Sequence, residues 1–394
     1  MKGNRVFIGL SSVVCRARHA KLCAPEAFSP NLPELRTKTK DFPKFTVVSH
    51  MKTNALDKGA IMGEAAFSVS FAGPLVTFQD AGRAGNMRYG VAASGPMDRL
   101  AFEAAHAALG NAQVLTAIEI SVGGLILNCT QGSVTIAITG GDFVVEHAGQ
   151  KTRSWTVLTI RKGDRLSISA GKAGSWAYLA FAAKIETPNW LGSQATHSTS
   201  GFGGGALQTG QTITLSDTAI RDDRLGEIAQ PISPSKGPVR VVTGPQDQHF
   251  TKGSVERFVT STFKVTDAYD RMGMRLSGPL LDLDGALSIP SEPIVRGSVQ
   301  VSGDGIATVL LADHQTTGGY PKIATVISCD TDRLAQFRAG EAVRFTPINS
   351  AQAIGDVRKF FAQKATYLED IAVARGSLAT RLMRENLIHG CVYD

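Results

Sequence analysis

The sequence lacks most of the motifs that disclose an activity at sight. No G-x-x-x-x-G-K-[ST] occurs, so the chain carries no standard loop of backbone amides for a nucleoside triphosphate. H-E-x-x-H and G-x-S-x-G are missing, and the eight histidines never fall three or four apart on a helix, which removes the usual support for metalloprotease and hydrolase-triad chemistry. Cysteine is sparse: Cys15, Cys23, Cys129, Cys329 and Cys391 are odd in number, far apart and without a C-x-x-C pair. Neither a disulfide framework nor a zinc site is signalled, and a reducing cytoplasm is the expected compartment. No apolar run reaches the roughly 18 residues of a membrane-spanning helix; the least charged stretch, residues 120–141, is broken by Asn128, Thr130 and Gln131.

The formal charge of +7 is local rather than general. Residues 1–61 hold 11 Lys/Arg against 4 Asp/Glu, and the remainder is formally neutral, so no basic face for nucleic acid is expected. The basic start resembles a signal peptide but lacks a small-residue cleavage site, and it shows no sustained amphipathic period. Residues 1–62 are therefore read as a poorly structured leader or a misassigned start. "GFGGGA" at 201–206 satisfies a dinucleotide pattern formally, but no strand leads into it and no helix follows. A flexible loop is expected there.

What is present is β-structure. Short alternating runs such as "FSVSF", "AIEISV", "VTIAIT" and "RLSIS", closed by Gly, Asn or Asp, mark half-buried antiparallel strands. Two helical stretches interrupt them. "MDRLAFEAAHAALGN" is expected to open at Ser94-Gly95-Pro96 and stop at Gly110-Asn111. The tail presents Val357, Phe361, Ala365, Leu368 and Ala372 as an apolar stripe.

The chain also repeats itself. Arg88, Gly90, Ser94, Gly95 and Pro96 recur at the same spacing as Arg271, Gly273, Ser277, Gly278 and Pro279; Thr139-Gly140-Gly141 recurs as Thr317-Gly318-Gly319; "RKGDRLSI" recurs as "RAGEAVRF". Three pairs in one order argue duplication. The expected organisation is two β-barrel lobes, residues 66–232 and 237–349, separated near "AQPISPSKGPVR" and followed by a helical tail, residues 350–394.

Polar residues are concentrated in a few segments. In "LLADHQTTGGYPKIATVIS", residues 310–328, Asp313, Gln315, Thr316 and Tyr320 are expected to converge on a ligand, with Gly318 and Gly319 allowing close approach of the backbone. A tight glycine turn is the plainer account of such a stretch, but the density of polar groups between buried strands favours a site. "TFQDAGRAGNMRYGVAASGPMDR" supplies Gln79, Arg88 and Asp98 and ends at a helix start able to hold an anion. "GPQDQHF" supplies Gln246, and "DAYDRMG" supplies Arg271. Glu119, inside "AIEISV", reads as a solvent-facing strand residue and is left out of the site.

At these segments the sequence resembles the biotin-dependent carboxyltransferase family that includes the C-type subunit of 5-oxoprolinase, also called allophanate hydrolase subunit 2-like or KipA proteins. It is also similar to part of the carboxyltransferase region of urea carboxylase. The resemblance covers roughly residues 67–370 and implies a mainly β fold of two tandem cyclophilin-like barrels. The partners it implies are the B-type (KipI-like) and A-type 5-oxoprolinase subunits. The activity it implies is ATP-dependent opening of 5-oxoproline to glutamate, with ATP as cosubstrate of the complex and neither a metal nor covalently bound biotin in this chain. Two positions depart from the family pattern: His314 stands where an arginine is usual, and "GSQATHSTSGFGGGALQTG" lacks an arginine of the usual stretch.

The expected roles are proton transfer for Asp98 and Asp313, anion stabilisation for Arg88 and Arg271, and amide binding for Gln79, Gln246, Gln315, Thr316 and Tyr320, with Gly318 and Gly319 shaping the pocket. Two other readings accompany this one. The chain would be a carboxyltransferase moving CO2 from carboxybiotin on a separate carrier to urea or a related amide, since no Met-Lys-Met biotin site is present. Alternatively it would be a non-catalytic regulatory partner of a KipI-like protein.

Overall fold

The computed structural model describes residues 63–112, 114–231, 237–285 and 288–374. The expected leader, the break at 232–236 and the end of the tail lie outside the described residues.

The chain is mainly β, with four α-helices among the described residues and one nearly closed barrel sheet. Strands between residues 63 and 227 build two sheets. One has seven strands in the order Lys184–Ile185, Thr212–Thr218, Gly63–Ala72, Leu125–Gln131, Arg165–Ala170, Phe143–His147, Gln150–Arg153. The other has six: Gly226–Glu227, Thr156–Arg161, Ser133–Gly140, Trp176–Phe181, Ala117–Ser121, Thr77–Gln79. Strands between 239 and 347 build an eight-stranded sheet, ordered Ala342–Val343, Phe263–Tyr269, Gly273–Ser277, Ala307–Leu310, Ser298–Val301, Lys322–Val326, Val239–Thr243, Phe345–Pro347. Side chains facing inward from all three sheets, Phe67, Ile136, Val265 and Val309 among them, form one continuous apolar cluster.

Helix α1, Arg99–Leu109, begins two residues later than the Ser-Gly-Pro signal suggests. Asp98 is its N-cap, accepting the Ala101 amide, and Gly110 ends it in the left-handed conformation. Two short helices have no counterpart among the expected elements. They are α2, Lys252–Thr260, capped by the Thr251 hydroxyl, and α3, Ser328–Ala335.

The tail helix α4, Ser350–Ile371, starts with a reciprocal capping box between Asn349 and Gln352. Its buried face differs from the expected stripe. Ala353, Val357, Phe360, Leu368 and Ile371 pack inward, while Phe361 is 50% exposed. Lys364 on this helix donates to Glu103 of α1 at 2.6 Å. The 201–206 segment is a loop in which two glycines are closely approached. A Cβ on Gly203 would lie 2.0 Å from the Ala195 carbonyl oxygen, and one on Gly204 would lie 2.6 Å from Phe78.

Between the first two sheets and the third runs a seam of directional contacts. Arg338 donates to the Gly174 and Gly171 carbonyls at 2.8 and 2.9 Å, Trp176 Nε1 to the Tyr269 hydroxyl at 2.6 Å, and Arg99 to Asp332 at 2.9 Å.

Candidate functional site

Among the described residues the largest fully buried side chain is a charged one, Arg271, and it lies in that seam. After strand Phe263–Tyr269 the Asp270 carboxylate accepts the amides of Met272 and Gly273 at 2.8 and 3.1 Å, a turn that leaves the intervening Arg271 fully enclosed. The guanidinium grips Asp313 with two bonds, Nε to Oδ2 at 2.9 Å and Nη2 to Oδ1 at 3.1 Å. It also donates to Glu119 and, at 2.7 Å, to the Gly95 carbonyl. Burial alone would raise the Asp313 carboxyl, but Arg271 and the Ser198 amide hold it below the ordinary carboxylate range.

Glu119 is thus a buried partner rather than the solvent-facing residue its strand pattern suggests. Strand Ala117–Ser121 is covered on both faces, so alternation carries no inside-outside information there. The second Glu119 oxygen accepts the Met97 amide at 2.8 Å and the Tyr178 hydroxyl at 2.7 Å. Tyr178 in turn accepts the Asp98 amide at 2.7 Å, and burial, with Glu119 next to it, keeps its phenol well above the usual value.

The other half of the chain holds a similar arginine, but it is not Arg88. Arg88 is exposed, its guanidinium 4.8 Å above the Tyr89 ring, and no hydrogen bond joins it to the Arg271 group among the described residues. The buried one is Arg83, which donates to the Ser94 hydroxyl at 3.1 Å and to the Ala195 carbonyl and lies 4.9 Å over Trp190.

Asp98 stands apart. Its carboxylate accepts the Ala101 amide at 3.0 Å and the Gln336 side chain at 2.8 Å, on the wall of a cleft of about 890 Å³ that Gly140, Gly141, Trp155 and Asp332 also line. Burial, and then the nearby Asp332, push its pKa up to about 6.

The 310–328 segment forms a second polar group, separate from that cleft. Thr317–Gly318 pairs with Glu292–Pro293, and the Thr316 carbonyl accepts the Ile294 amide at 3.0 Å. A Cβ at Gly318 would lie 2.5 Å from Ile294 Cδ1 and 2.8 Å from Gln300 Nε2, the movable ends of two side chains. At Gly319 a Cβ would lie 2.9 Å from the Ile289 carbonyl oxygen. Gln315 donates to Gln300 Oε1 at 3.2 Å, and Gln300 donates to the Tyr320 carbonyl at 3.3 Å. Gln246 accepts the Lys322 amide at 3.0 Å and donates to Glu292.

Of the residues expected to bind substrate, Gln246, Gln315, Thr316, Gly318 and Gly319 come together here, and the Tyr320 ring is exposed beside them. Gln79 does not join this hydrogen-bonded group; it donates to the Thr77 hydroxyl at 2.9 Å and the Thr196 carbonyl at 3.1 Å. His314 is buried, its ring Nδ1 2.6 Å from the Gln315 carbonyl oxygen. Glu292 and Gln300 belong to none of the motifs read from the sequence; Lys322 lies inside the 310–328 segment without being one of its expected site residues, although a lysine opening a strand as apolar as "KIATVI" is itself a signal. Among the described residues, no group of three or more His, Cys, Asp or Glu is placed to hold a metal ion, and no helix is long and apolar enough to cross a membrane.

This arrangement belongs to a known class. The profile of the carboxyltransferase domain, subdomain A and B, matches residues 89–347, and the chain belongs to that family. It is 33% identical to the C-type subunit of 5-oxoprolinase from Haemophilus influenzae over 280 residues, 70% of this chain and 89% of that protein. To the Escherichia coli protein of the same name it is 30% identical over 312 residues, 76% of this chain and 97% of that one. The crystal structure of K. lactis urea amidolyase superimposes with a TM-score of 0.67 at 25% identity, over 77% of this chain but only 20% of the larger enzyme.

Proposed function

We propose that this chain is the C-type subunit of an ATP-dependent 5-oxoprolinase, acting with the A-type and B-type subunits to open 5-oxoproline to L-glutamate. The observation that carries the reading is its identity of 30–33% across 89–97% of the length of two proteins of that name. The clustering of Gln246, Gln300, Gln315, Glu292 and Lys322 around Gly318 suits it, because a small amide needs several convergent donors and acceptors.

Hydrolysis of the lactam breaks the ring C–N bond; oxygen from water goes to the carbonyl carbon and a proton to the nitrogen. ATP consumed by the complex drives the reaction, and since this chain has no triphosphate loop we assign ATP to a partner chain. A cytoplasmic location follows from that need for ATP. In this reading Arg271 and Asp313 are positioning residues that anchor the segment carrying Gln315, and Asp98, its pKa pushed up to about 6, can carry a proton only in its own cleft, apart from the Gly318 group.

The test is reconstitution of the full chain with candidate A-type and B-type subunits, following glutamate and phosphate release from 5-oxoproline and ATP. Coupled release that disappears when this chain is omitted supports the reading. The family match and the likeness to urea amidolyase favour carboxyl transfer to urea or a related amide as the second reading. It predicts transfer from a carboxybiotin carrier in place of glutamate release. A stable complex with the KipI-like partner and no turnover in either assay would leave the regulatory role.

A further inference from the structure

Lys322 opens the strand Lys322–Val326 directly opposite Gln300, so the two side chains share a face of the sheet. Its side chain is 4% exposed, yet Nζ makes no hydrogen bond among the described residues. The recorded carboxylate beside it, Glu292 Oε2, is 3.7 Å away and already accepts from Gln246. An ammonium buried without an acceptor within bonding distance is costly, and native proteins rarely leave one so.

We propose that Lys322 and Glu292 form a donor-acceptor pair that recognises the cis N–H and C=O edge of a small planar amide, a lactam or a urea. The ammonium donates to the carbonyl oxygen and the carboxylate accepts the N–H. Glu292 decides the class of ligand. A free carboxylate placed on Lys322 would be repelled by the neighbouring carboxylate, whereas a neutral amide satisfies both groups. Standard bond lengths put the nitrogen and oxygen of such an edge about 2.3 Å apart, compatible with partners whose own separation is a few ångströms. Glu292 is 53% exposed at its side chain, so its carboxylate is reachable from solvent, while Lys322 Nζ is enclosed 3.7 Å from it and is met by a ligand only after the Glu292 side chain moves aside. The choice of 5-oxoproline as the natural ligand rests on the 5-oxoprolinase reading above; the amide specificity of the pair does not.

The test is ligand-observed NMR titration of the full chain, alone and in the reconstituted complex, with 5-oxoproline, 2-pyrrolidone, urea, proline and N-methyl-2-pyrrolidone. The amides with a free cis N–H should bind at least about tenfold more tightly than proline, which lacks the carbonyl, and than N-methyl-2-pyrrolidone, which lacks the donor. Lys322→Met should lose this binding at least about tenfold while melting no lower than wild type, because a buried unpaired charge has been removed. Glu292→Gln should weaken the discrimination against the N-methyl compound. Equal binding of proline or of the N-methyl compound, retention of binding by Lys322→Met, or no binding of any amide would overturn the proposal. A complex that fails to turn over 5-oxoproline, while the chain still binds 2-pyrrolidone or urea through Lys322, would sink the 5-oxoprolinase reading and leave the pair standing.

Discussion

Replacing Arg271 by Met isolates what the buried cluster contributes. The substitution keeps an unbranched side chain of similar length but leaves Glu119 and Asp313, both enclosed, without the cation that bonds them. Removing one member of such a buried set costs about 3–5 kcal/mol, a large fraction of the roughly 5–15 kcal/mol that holds a native protein together. In a chain of this size the melting temperature should fall by roughly 5–15 °C. The fall should depend on pH. In the wild type Arg271 holds Asp313 below its ordinary value, so that carboxylate contributes stability above the unfolded pKa and loses it only in strong acid. In the variant burial is opposed mainly by the Ser198 amide, Asp313 is expected to titrate above its unfolded value, and stability should decline as pH rises from about 4. Thermal unfolding followed by circular dichroism at pH 5 and pH 8 should therefore show the larger deficit at pH 8. Combining Arg271→Met with Glu119→Gln and Asp313→Asn should restore most of the loss. A single variant melting within about 2 °C of wild type at pH 8, or a triple variant no better than the single one, would refute the reasoning.

Asp98→Asn keeps an N-cap residue for α1 but removes a carboxyl whose folded pKa is raised to about 6. The wild-type carboxyl favours folding only below its unfolded pKa and loses that contribution as pH rises through 6, so the melting temperature of the variant relative to wild type should increase between pH 4 and pH 7. If Asp98 carries the proton in the reconstituted complex, the same substitution should also abolish the limb of the pH-rate profile near 6. His106 is buried with its pKa lowered to about 4 by burial, so its contribution to stability is present above 6.5 and is lost as pH falls toward 4. His106→Gln should show a smaller loss of melting temperature over that interval. Tyr178→Phe removes the hydroxyl that bridges the Asp98 amide and Glu119, and should cost about 1–3 kcal/mol in a denaturant titration without changing the slope.

Local sequence signals translate directly into local structure. The alternating runs are strands, Asp98 and Gly110 bound the first helix, and the Gln-Thr-Thr-Gly-Gly segment pairs at Gly318 with Glu292, which accepts from Gln246. What a local pattern does not specify is which of two adjacent residues turns inward when a partner element decides. Phe360 and Phe361 fit an amphipathic stripe almost equally well, and packing against Ile327, Cys329 and Ala353 is what buries the face of Phe360. Glu119 illustrates the limit more sharply. Its partner Arg271 lies 152 residues away, so nothing within the strand distinguishes it from an ordinary surface glutamate. Lys322 is visible in the sequence as a charge at the head of an apolar run, but its lack of an acceptor is a property of three dimensions.

The two buried arginines hold one loop from different sides. Arg83 binds within its own half, to Ser94 and to the loop at Ala195, and stacks on Trp190. Arg271 reaches out of its half to Glu119 and the Gly95 carbonyl while keeping Asp313. Gly95 follows Ser94 directly, so consecutive residues of a single loop are held by the two arginines, one through a hydroxyl and the other through a carbonyl. That loop leads into Met97 and Asp98, whose amides are bound by Glu119 and Tyr178. The start of α1 is consequently positioned from both halves of the chain at once, and a change at either arginine should be felt first in the loop at 94–98, on the wall of the cleft that Asp98 lines.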